Sequence, residues 1–145
     1  INKRMTGHPK GWPAISNMVL YSNKKLSEHE SKIYLIKDIF WMRDPVVLGK
    51  PEFTESLWAS LDENGMDWPI IITYQSAFKQ EMEANKYRHL FPKPIDASEY
   101  YRCAVGNNRM HWACERGYTS IEAILVDTWE ERHVPHRLIQ QLSRK

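Results

Sequence analysis

A strand, a glycine, a helix, a second glycine and another strand follow one another within residues 100–126, and this order constrains the fold more than any other feature. Segments 100–105 and 121–126 predict two strands. Residues 107–115 predict a short helix that Gly117 ends. When strands and helices alternate in this way, the strands form a sheet and the helices pack against it. We therefore expect an α+β fold, a small mixed sheet with flanking helices.

The residues on either side of this unit predict further elements. Apolar stretches at 18–21 and 33–41 predict short strands, and the run 68–74 predicts a buried strand. The pattern from Thr54 predicts a helix that Asn64-Gly65 closes. The remaining predictions are a helix over 78–87, a loop at 91–94 and a terminal helix over 129–142 that is interrupted near Pro135.

The charge is distributed unevenly along the chain. Residues 1–50 carry nine Lys/Arg against four Asp/Glu, whereas residues 51–145 carry eleven against fourteen. We divide the chain into a basic N-terminal arm (1–32), a folded domain (33–127) and a C-terminal helix (128–145). Contacts with a DNA backbone and a solvated tail explain the cations of the arm equally well; these cations are Lys3, Arg4, Lys10, Lys24 and Lys25.

Composition excludes several classes of protein. The chain is 42% apolar and has six tryptophans, which argues against disorder. It contains no run of about 20 apolar residues, so we predict no membrane span. The polar start lacks the apolar core of a signal peptide. Cys103 and Cys114 form no C-x-x-C motif, and we expect both to be reduced and buried in a cytoplasmic protein.

The start of the helix after Val105 predicts an anion site. The first N–H groups of a helix have no intrahelical acceptor, and the positive end of the helix dipole lies behind them. Gly106 has no Cβ and lets a ligand approach, Asn107 or Asn108 can cap the helix, and Arg109 can bind a phosphate through two nitrogens. The alternative is a plain strand-to-helix turn with a capping Asn.

Two stretches resemble the ParB/sulfiredoxin superfamily. Val105-Gly106-Asn107-Asn108-Arg109, with Ala113, Gly117 and the strand 121–126, resembles the signature G-E-R-R-x-x-A…G-x-x-x-I-x-V. The stretch 57–72 resembles the element L-x-x-S-I-x-x-x-G-x-x-x-P-I-x-V of the same superfamily. The likeness covers about residues 33–127 and implies a ParB/sulfiredoxin-like fold.

This resemblance implies a nucleotide or phosphate ligand. In ParB-type proteins the helix-start motif binds the triphosphate of CTP, and its Glu assists with Mg2+ and hydrolysis; in sulfiredoxin the loop supplies a catalytic Cys. Asn107 stands at both positions here, Asn108 at the first Arg and Arg109 at the second. The implied cofactor is a nucleoside triphosphate with Mg2+, with Gly106 to Arg109 at the phosphates and Trp68 and Pro69 near the base.

Catalysis stays open at this stage. Asn107 is neutral and provides neither a thiol nor a general base, which argues against both known chemistries. Asp67 could supply the missing acid and His111 could assist proton transfer, although a turn residue and an ordinary helix residue explain them more simply. His133 and His136 have the spacing of a metal pair, but no third ligand is apparent, so we predict no metal site.

Three functions remain. The first is a nucleotide- or phosphate-binding domain, which, if it is an enzyme, is a nucleotide hydrolase or a phosphoryl-transfer enzyme. The second is a DNA-associated binding protein that uses the fold as a scaffold. The third is a ParB-like nuclease, although the carboxylate cluster that metal-assisted cleavage requires is not visible. The sequence leaves a homodimer open.

Overall fold

The computed structural model describes residues 18–41, 51–74 and 101–144, with side chains from residue 54 onward in the second range. The predicted helix over 78–87, the predicted loop at 91–94 and residues 1–17 of the arm lie outside the described residues.

Within these ranges the chain forms a mixed sheet and flanking helices, which confirms the predicted α+β class. The strands are β1 Val19–Leu20, β2 Lys32–Leu35, β3 Ile39–Phe40, β4 Ile70–Tyr74, β5 Tyr101–Val105 and β6 Ser120–Leu125. The helices are α1 Pro51–Asn64, α2 Asn107–Glu115 and α3 His133–Ser143, and 3-10 turns occupy Ile36–Asp38 and Glu130–Arg132. No helix in the described part of the chain has the length and apolar character that a bilayer span needs.

The sequence predicts that the terminal helix is interrupted near Pro135, but the structure shows no interruption there. Pro135 is the third residue of α3. A backbone N–H in the first turn of a helix has no intrahelical acceptor, so a proline there removes no hydrogen bond. The α-helix therefore continues through this position to Ser143.

Strand β6 is the centre of the sheet. It pairs in parallel with β1 and β4, through Ser120–Ile121 and Ala123–Leu125 respectively, and antiparallel with β2. Strand β5 lies antiparallel to β4, and β3 pairs in parallel with β5. Strands β6 and β4 therefore lie in the interior of the sheet, with neighbours on both sides.

Both faces of the sheet are buried, which explains the continuous apolar runs of its central strands. Ile70, Ile72 and Ile121 face a cluster that contains Met110 and Trp112 of α2, and Leu57 and Trp58 of α1 pack against it. Ile71 and Ile124 face the other way, towards a second cluster against which Leu138 and Ile139 of α3 pack. Helices α1 and α2 thus cover one face of the sheet, and α3 covers the other.

The far end of α2 is fixed to α1. Gly117, with φ +87°, follows the helix, and its N–H donates to the Cys114 carbonyl while that of Tyr118 donates to the Ala113 carbonyl. These two bonds are the Schellman pattern at a helix end, and they confirm the predicted glycine stop. Arg116 also donates through two nitrogens to Asp62 of α1, each at 2.8 Å.

A buried carboxylate on β6 holds the segment that precedes β2. Glu122 has 1% of its surface exposed and accepts hydrogen bonds from the Ser22 N–H at 2.8 Å, the Ser22 hydroxyl, the Lys25 ammonium at 2.6 Å and the Ser31 hydroxyl. Residues 22–31 belong to the segment predicted as an arm, and these bonds fix them to the sheet. Burial raises the pKa of Glu122, but the hydrogen bonds from Lys25, Ser31 and Ser22 outweigh it and lower the pKa to about 2.

We predict that Glu122→Gln lowers the free energy of unfolding by about 2–3 kcal/mol, because it removes charge from a set of buried hydrogen bonds. The carboxylate has a lower pKa in the folded state than the usual 4.5, so its contribution is complete above that pH and is lost as the pH falls towards about 2. Urea unfolding at several pH values measures both effects.

The matched control is Glu130→Gln, since Glu130 is an exposed carboxylate. Its unfolding free energy should stay within about 0.5 kcal/mol of the wild type. Equal losses in the two variants, or an acid dependence that Glu122→Gln leaves unchanged, would contradict the anchoring role of Glu122.

Candidate functional site

The start of α2 is shaped by a glycine in a left-handed conformation. Gly106 is the N-cap residue, with φ +114° and ψ +28°, and its carbonyl accepts the first helical hydrogen bond from Met110 N–H at 2.9 Å. Asn107 is already the first helical residue. The prediction that Asn107 or Asn108 caps the helix is therefore wrong, because neither occupies the N-cap position.

The space beside Gly106 is filled by protein. A Cβ at this position would lie 2.6 Å from Ile70 Cγ2 and 2.9 Å from Arg109 Nη2. The missing side chain therefore lets α2 start close against β4 and leaves room for a guanidinium. The sequence predicts that a ligand can approach the backbone at Gly106, but on this side the backbone is covered by Ile70 and Arg109.

Arg109 ties the start of α2 to the residues that precede β4. Its Nη1 donates to the Trp68 carbonyl oxygen at 2.7 Å. Burial lowers the pKa of the Arg109 guanidinium, and the neighbouring Cys103 has a smaller, opposite effect. The residue is thus partly committed to an internal hydrogen bond, rather than wholly free for the two-nitrogen phosphate contact that the sequence predicts.

A cavity of about 420 Å³ opens beside this hydrogen bond, between the start of α2 and one side of α3. We call it the α2–α3 cavity. Its lining consists of Trp68, Val105, Arg109, His136, Ile139, Gln140, Ser143 and Arg144. The volume is within the range of small-molecule sites.

The charge of the α2–α3 cavity has one sign. Arg109 and Arg144 are cationic, His136 is titratable, and among the described residues none of those that line the cavity is acidic. Trp68 is half-buried and gives an aromatic surface, and the Lys24 ammonium lies 5.7 Å from its ring centroid. An aromatic plane beside two guanidiniums suits a ligand that combines a planar group with negative charge.

The structure brings together only part of the predicted site. Trp68 and Arg109 line the α2–α3 cavity, whereas Pro69, Gly106, Asn107 and Asn108 are not among its lining residues. Pro69 is buried, and the two asparagines are half-buried in the first turn of α2.

The two candidate catalytic residues lie elsewhere. Asp67 is exposed and its carboxylate accepts a hydrogen bond from Asn23 Nδ2 at 3.1 Å. His111 is 3% exposed, and its ring centroid lies 5.3 Å from that of Trp58 on the α1 side of the sheet. Neither side chain lines the α2–α3 cavity.

Sequence reasoning missed the wall that α3 contributes. Five of the eight lining residues, from His136 to Arg144, belong to α3 or follow it directly. The available signal was the apolar pair Leu138 and Ile139, which predicts that this helix packs on the sheet. That pattern does not say which part of the sheet it covers.

The structure shows where the two cysteines and the histidine pair lie. Cys103 and Cys114 are both free and buried, which confirms the expectation from the sequence. Burial raises the pKa of the Cys103 thiol to about 12, so it is protonated at neutral pH. In the described ranges no three His, Cys, Asp or Glu side chains come together as a metal site would need.

The fold is similar to those of two ParB-type structures. One is the C-terminally truncated chromosome-partitioning protein ParB from Caulobacter crescentus complexed with CTP-gamma-S, at 18% identity and a TM-score of 0.48, over 80% of this chain and 54% of that chain. The other is a Pnob8-like ParB-N domain, at 15% identity and a TM-score of 0.41, over 79% and 36%. This chain thus spans about half of the first and a third of the second, and these likenesses concern only the fold.

No protein-family model matches the sequence, and no curated protein does.

We predict that Gly106→Ala lowers the unfolding free energy by about 2–4 kcal/mol, because it combines an unfavourable φ with an overpacked contact to Ile70. Gly117→Ala is the matched control: Gly117 also has positive φ, but an added Cβ would meet no described heavy atom within 4 Å. The control should lose only about 1–2 kcal/mol. Equal losses, measured by urea unfolding, would contradict the close packing at Gly106.

Proposed function

We propose that this protein binds a nucleotide, or another phosphate-bearing ligand with a planar group, in the α2–α3 cavity. The observation that carries this function is the composition of the lining, in which Arg109 and Arg144 share one cavity with Trp68 and, among the described residues, no carboxylate faces them there. A dianion placed between two guanidiniums gains charge-assisted hydrogen bonds that a neutral ligand cannot make.

Arg109 and Arg144 have different roles in this proposal. Arg109 is held by its bond to the Trp68 carbonyl, so its position is set before the ligand arrives. Such preorganisation reduces the entropy lost on binding. Arg144 is exposed and follows the end of α3, where it can adjust to the ligand.

Trp68 supplies the surface for the base. Its carbonyl accepts a hydrogen bond from Arg109, and the residue lines the cavity. Stacking of a base on an aromatic side chain is worth about 1–3 kcal/mol and tolerates any base. We therefore expect the cavity to discriminate weakly among bases and strongly by charge.

The other residues predicted from the resemblance act indirectly in this proposal. Gly106, Asn107 and Asn108 form the first turn of α2 and set the direction in which Arg109 leaves the helix. Pro69 is buried and follows Trp68, and β4 begins at the next residue, Ile70. We assign no catalytic step, because neither Asp67 nor His111 lines the cavity.

The Mg2+ that the resemblance implies would be held by the bound nucleotide and water, and not by residues that line the cavity. The described lining residues include no carboxylate, and Mg2+ prefers oxygen ligands with several retained waters. Phosphate oxygens and water would hold the ion, so we expect nucleotide binding to persist when Mg2+ is removed.

The described residues do not favour the DNA-associated alternative. Lys25 is bonded to Glu122, and Lys24 lies over Trp68, so two of the five cations proposed as DNA contacts serve the folded domain. The other three, Lys3, Arg4 and Lys10, lie outside the described residues.

We predict that CTP, ATP, GTP and ADP each raise the Tm, with and without Mg2+, because a ligand that binds only the folded state stabilises it by mass action. Arg109→Ala should abolish the shift. Arg144→Gln should weaken affinity by about tenfold, as expected for one charge-assisted hydrogen bond. Thermal-shift titrations and calorimetry measure both.

Arg137→Gln is the matched control for Arg144→Gln. Arg137 is exposed on the same helix and does not line the cavity, so its loss should leave nucleotide affinity unchanged. Equal losses of affinity in the two variants would show a general charge effect and contradict the site. An unchanged Tm with every nucleotide would contradict the proposed function itself.

A further inference from the structure

The α2–α3 cavity holds a titratable group among cations. His136 is half-buried in the lining, on the side that α3 contributes. A neutral imidazole there costs little, but an imidazolium would add a third positive charge to a cavity that already contains Arg109 and Arg144. Its protonation state therefore depends on whether the cavity also holds negative charge.

The charged groups around His136 are cationic on each described element packed near it. Arg109 comes from α2, Arg132 from the preceding 3-10 turn, and Arg144 follows α3, whose first residue is the titratable His133. The Lys24 ammonium lies 5.7 Å from the centroid of the Trp68 ring. The nearest acidic residues in sequence, Glu130 and Glu131, are exposed, and Glu131 accepts a hydrogen bond from the Thr128 hydroxyl.

This surrounding disfavours the charged imidazole. Burial lowers the pKa of His136, and the nearby Arg109, His133 and Arg132 lower it further from the usual value of 6.5. The neutral imidazole is therefore favoured at pH 7 in the free protein. Negative charge brought into the cavity offsets the surrounding positive charge and so favours the imidazolium.

Resting on the proposed function, we infer that a doubly charged phosphate-type anion binds in the α2–α3 cavity together with one proton, which His136 takes from the solvent. The anion keeps its charge and no covalent bond forms. The ligand class is therefore an anion with two charges on one group, such as a terminal phosphate, rather than a single carboxylate. A singly charged ligand offsets less of the positive charge around His136 and gives the imidazolium less stabilisation.

The direction of the pH effect follows from linkage. Because the imidazolium is more stable in the complex than in the free protein, affinity rises as the pH falls through the value at which His136 titrates in the complex. It levels off once His136 is also protonated in the free protein. A rise of about one unit in the pKa of His136 on binding corresponds to a tenfold tighter complex at low pH.

Sulfate is the probe that isolates this effect, because it remains a dianion across the pH range in which histidine titrates, whereas phosphate does not. Proton NMR follows the six histidine rings and the Trp68 indole N–H as the pH is varied, with saturating sulfate or with chloride at equal ionic strength. The variants His136→Asn and Trp68→Phe assign the two signals. We expect sulfate to raise the pKa of His136 by about one unit relative to chloride.

The controls separate this inference from the proposed function. His29 lies outside the cavity lining, so replacing chloride with sulfate should leave its ring signals unchanged. A Trp68 signal that responds to sulfate while His136 titrates as in chloride would overturn the proton coupling and leave the binding site intact. A Trp68 signal that does not respond would overturn the dianion site. That result together with no nucleotide-induced rise in Tm would overturn the proposed function as well.

In His136→Asn, sulfate affinity should lose its dependence on pH while the Trp68 response remains. A merely structural role of His136 would instead weaken binding equally at all pH values, and that outcome would contradict the coupling.

Discussion

The hydrogen bond from Arg109 to the Trp68 carbonyl is the contact on which the proposed site depends. It joins the first turn of α2 to the residues that precede β4, and so fixes the guanidinium relative to the Trp68 backbone. A Cβ at Gly106 would lie 2.9 Å from Arg109 Nη2, so the glycine leaves room for this guanidinium. The space beside Gly106, which the sequence predicts to be open to a ligand, is thus partly occupied by the Arg109 side chain.

Local patterns were sufficient to predict most of the described elements. The run at β4 is β-branched and almost wholly apolar, as is typical of strands that are buried on both faces. The glycine that ends α2 was predictable because its conformation is a local property of the chain. The α+β class followed from the order of these elements.

Contacts between distant parts of the chain were not predictable from such patterns. Glu122 holds Ser22 across one hundred positions of sequence, and nothing in a run of alternating residues identifies its partner. Likewise, Arg144 and Arg109 line the same cavity because Leu138 and Ile139 pack α3 against the second face of the sheet. The helix-start motif was therefore identified, whereas the second half of the cavity was not.

In the proposed site negative charge binds between Arg109 and Arg144, not at the backbone N–H groups that begin α2. A crystal structure of the protein soaked with inorganic pyrophosphate distinguishes the two positions. We expect density in the α2–α3 cavity with oxygens about 2.7–3.2 Å from both guanidiniums. Density bound only to the backbone N–H groups of Asn107 and Asn108, with no anion at Arg144, would contradict it.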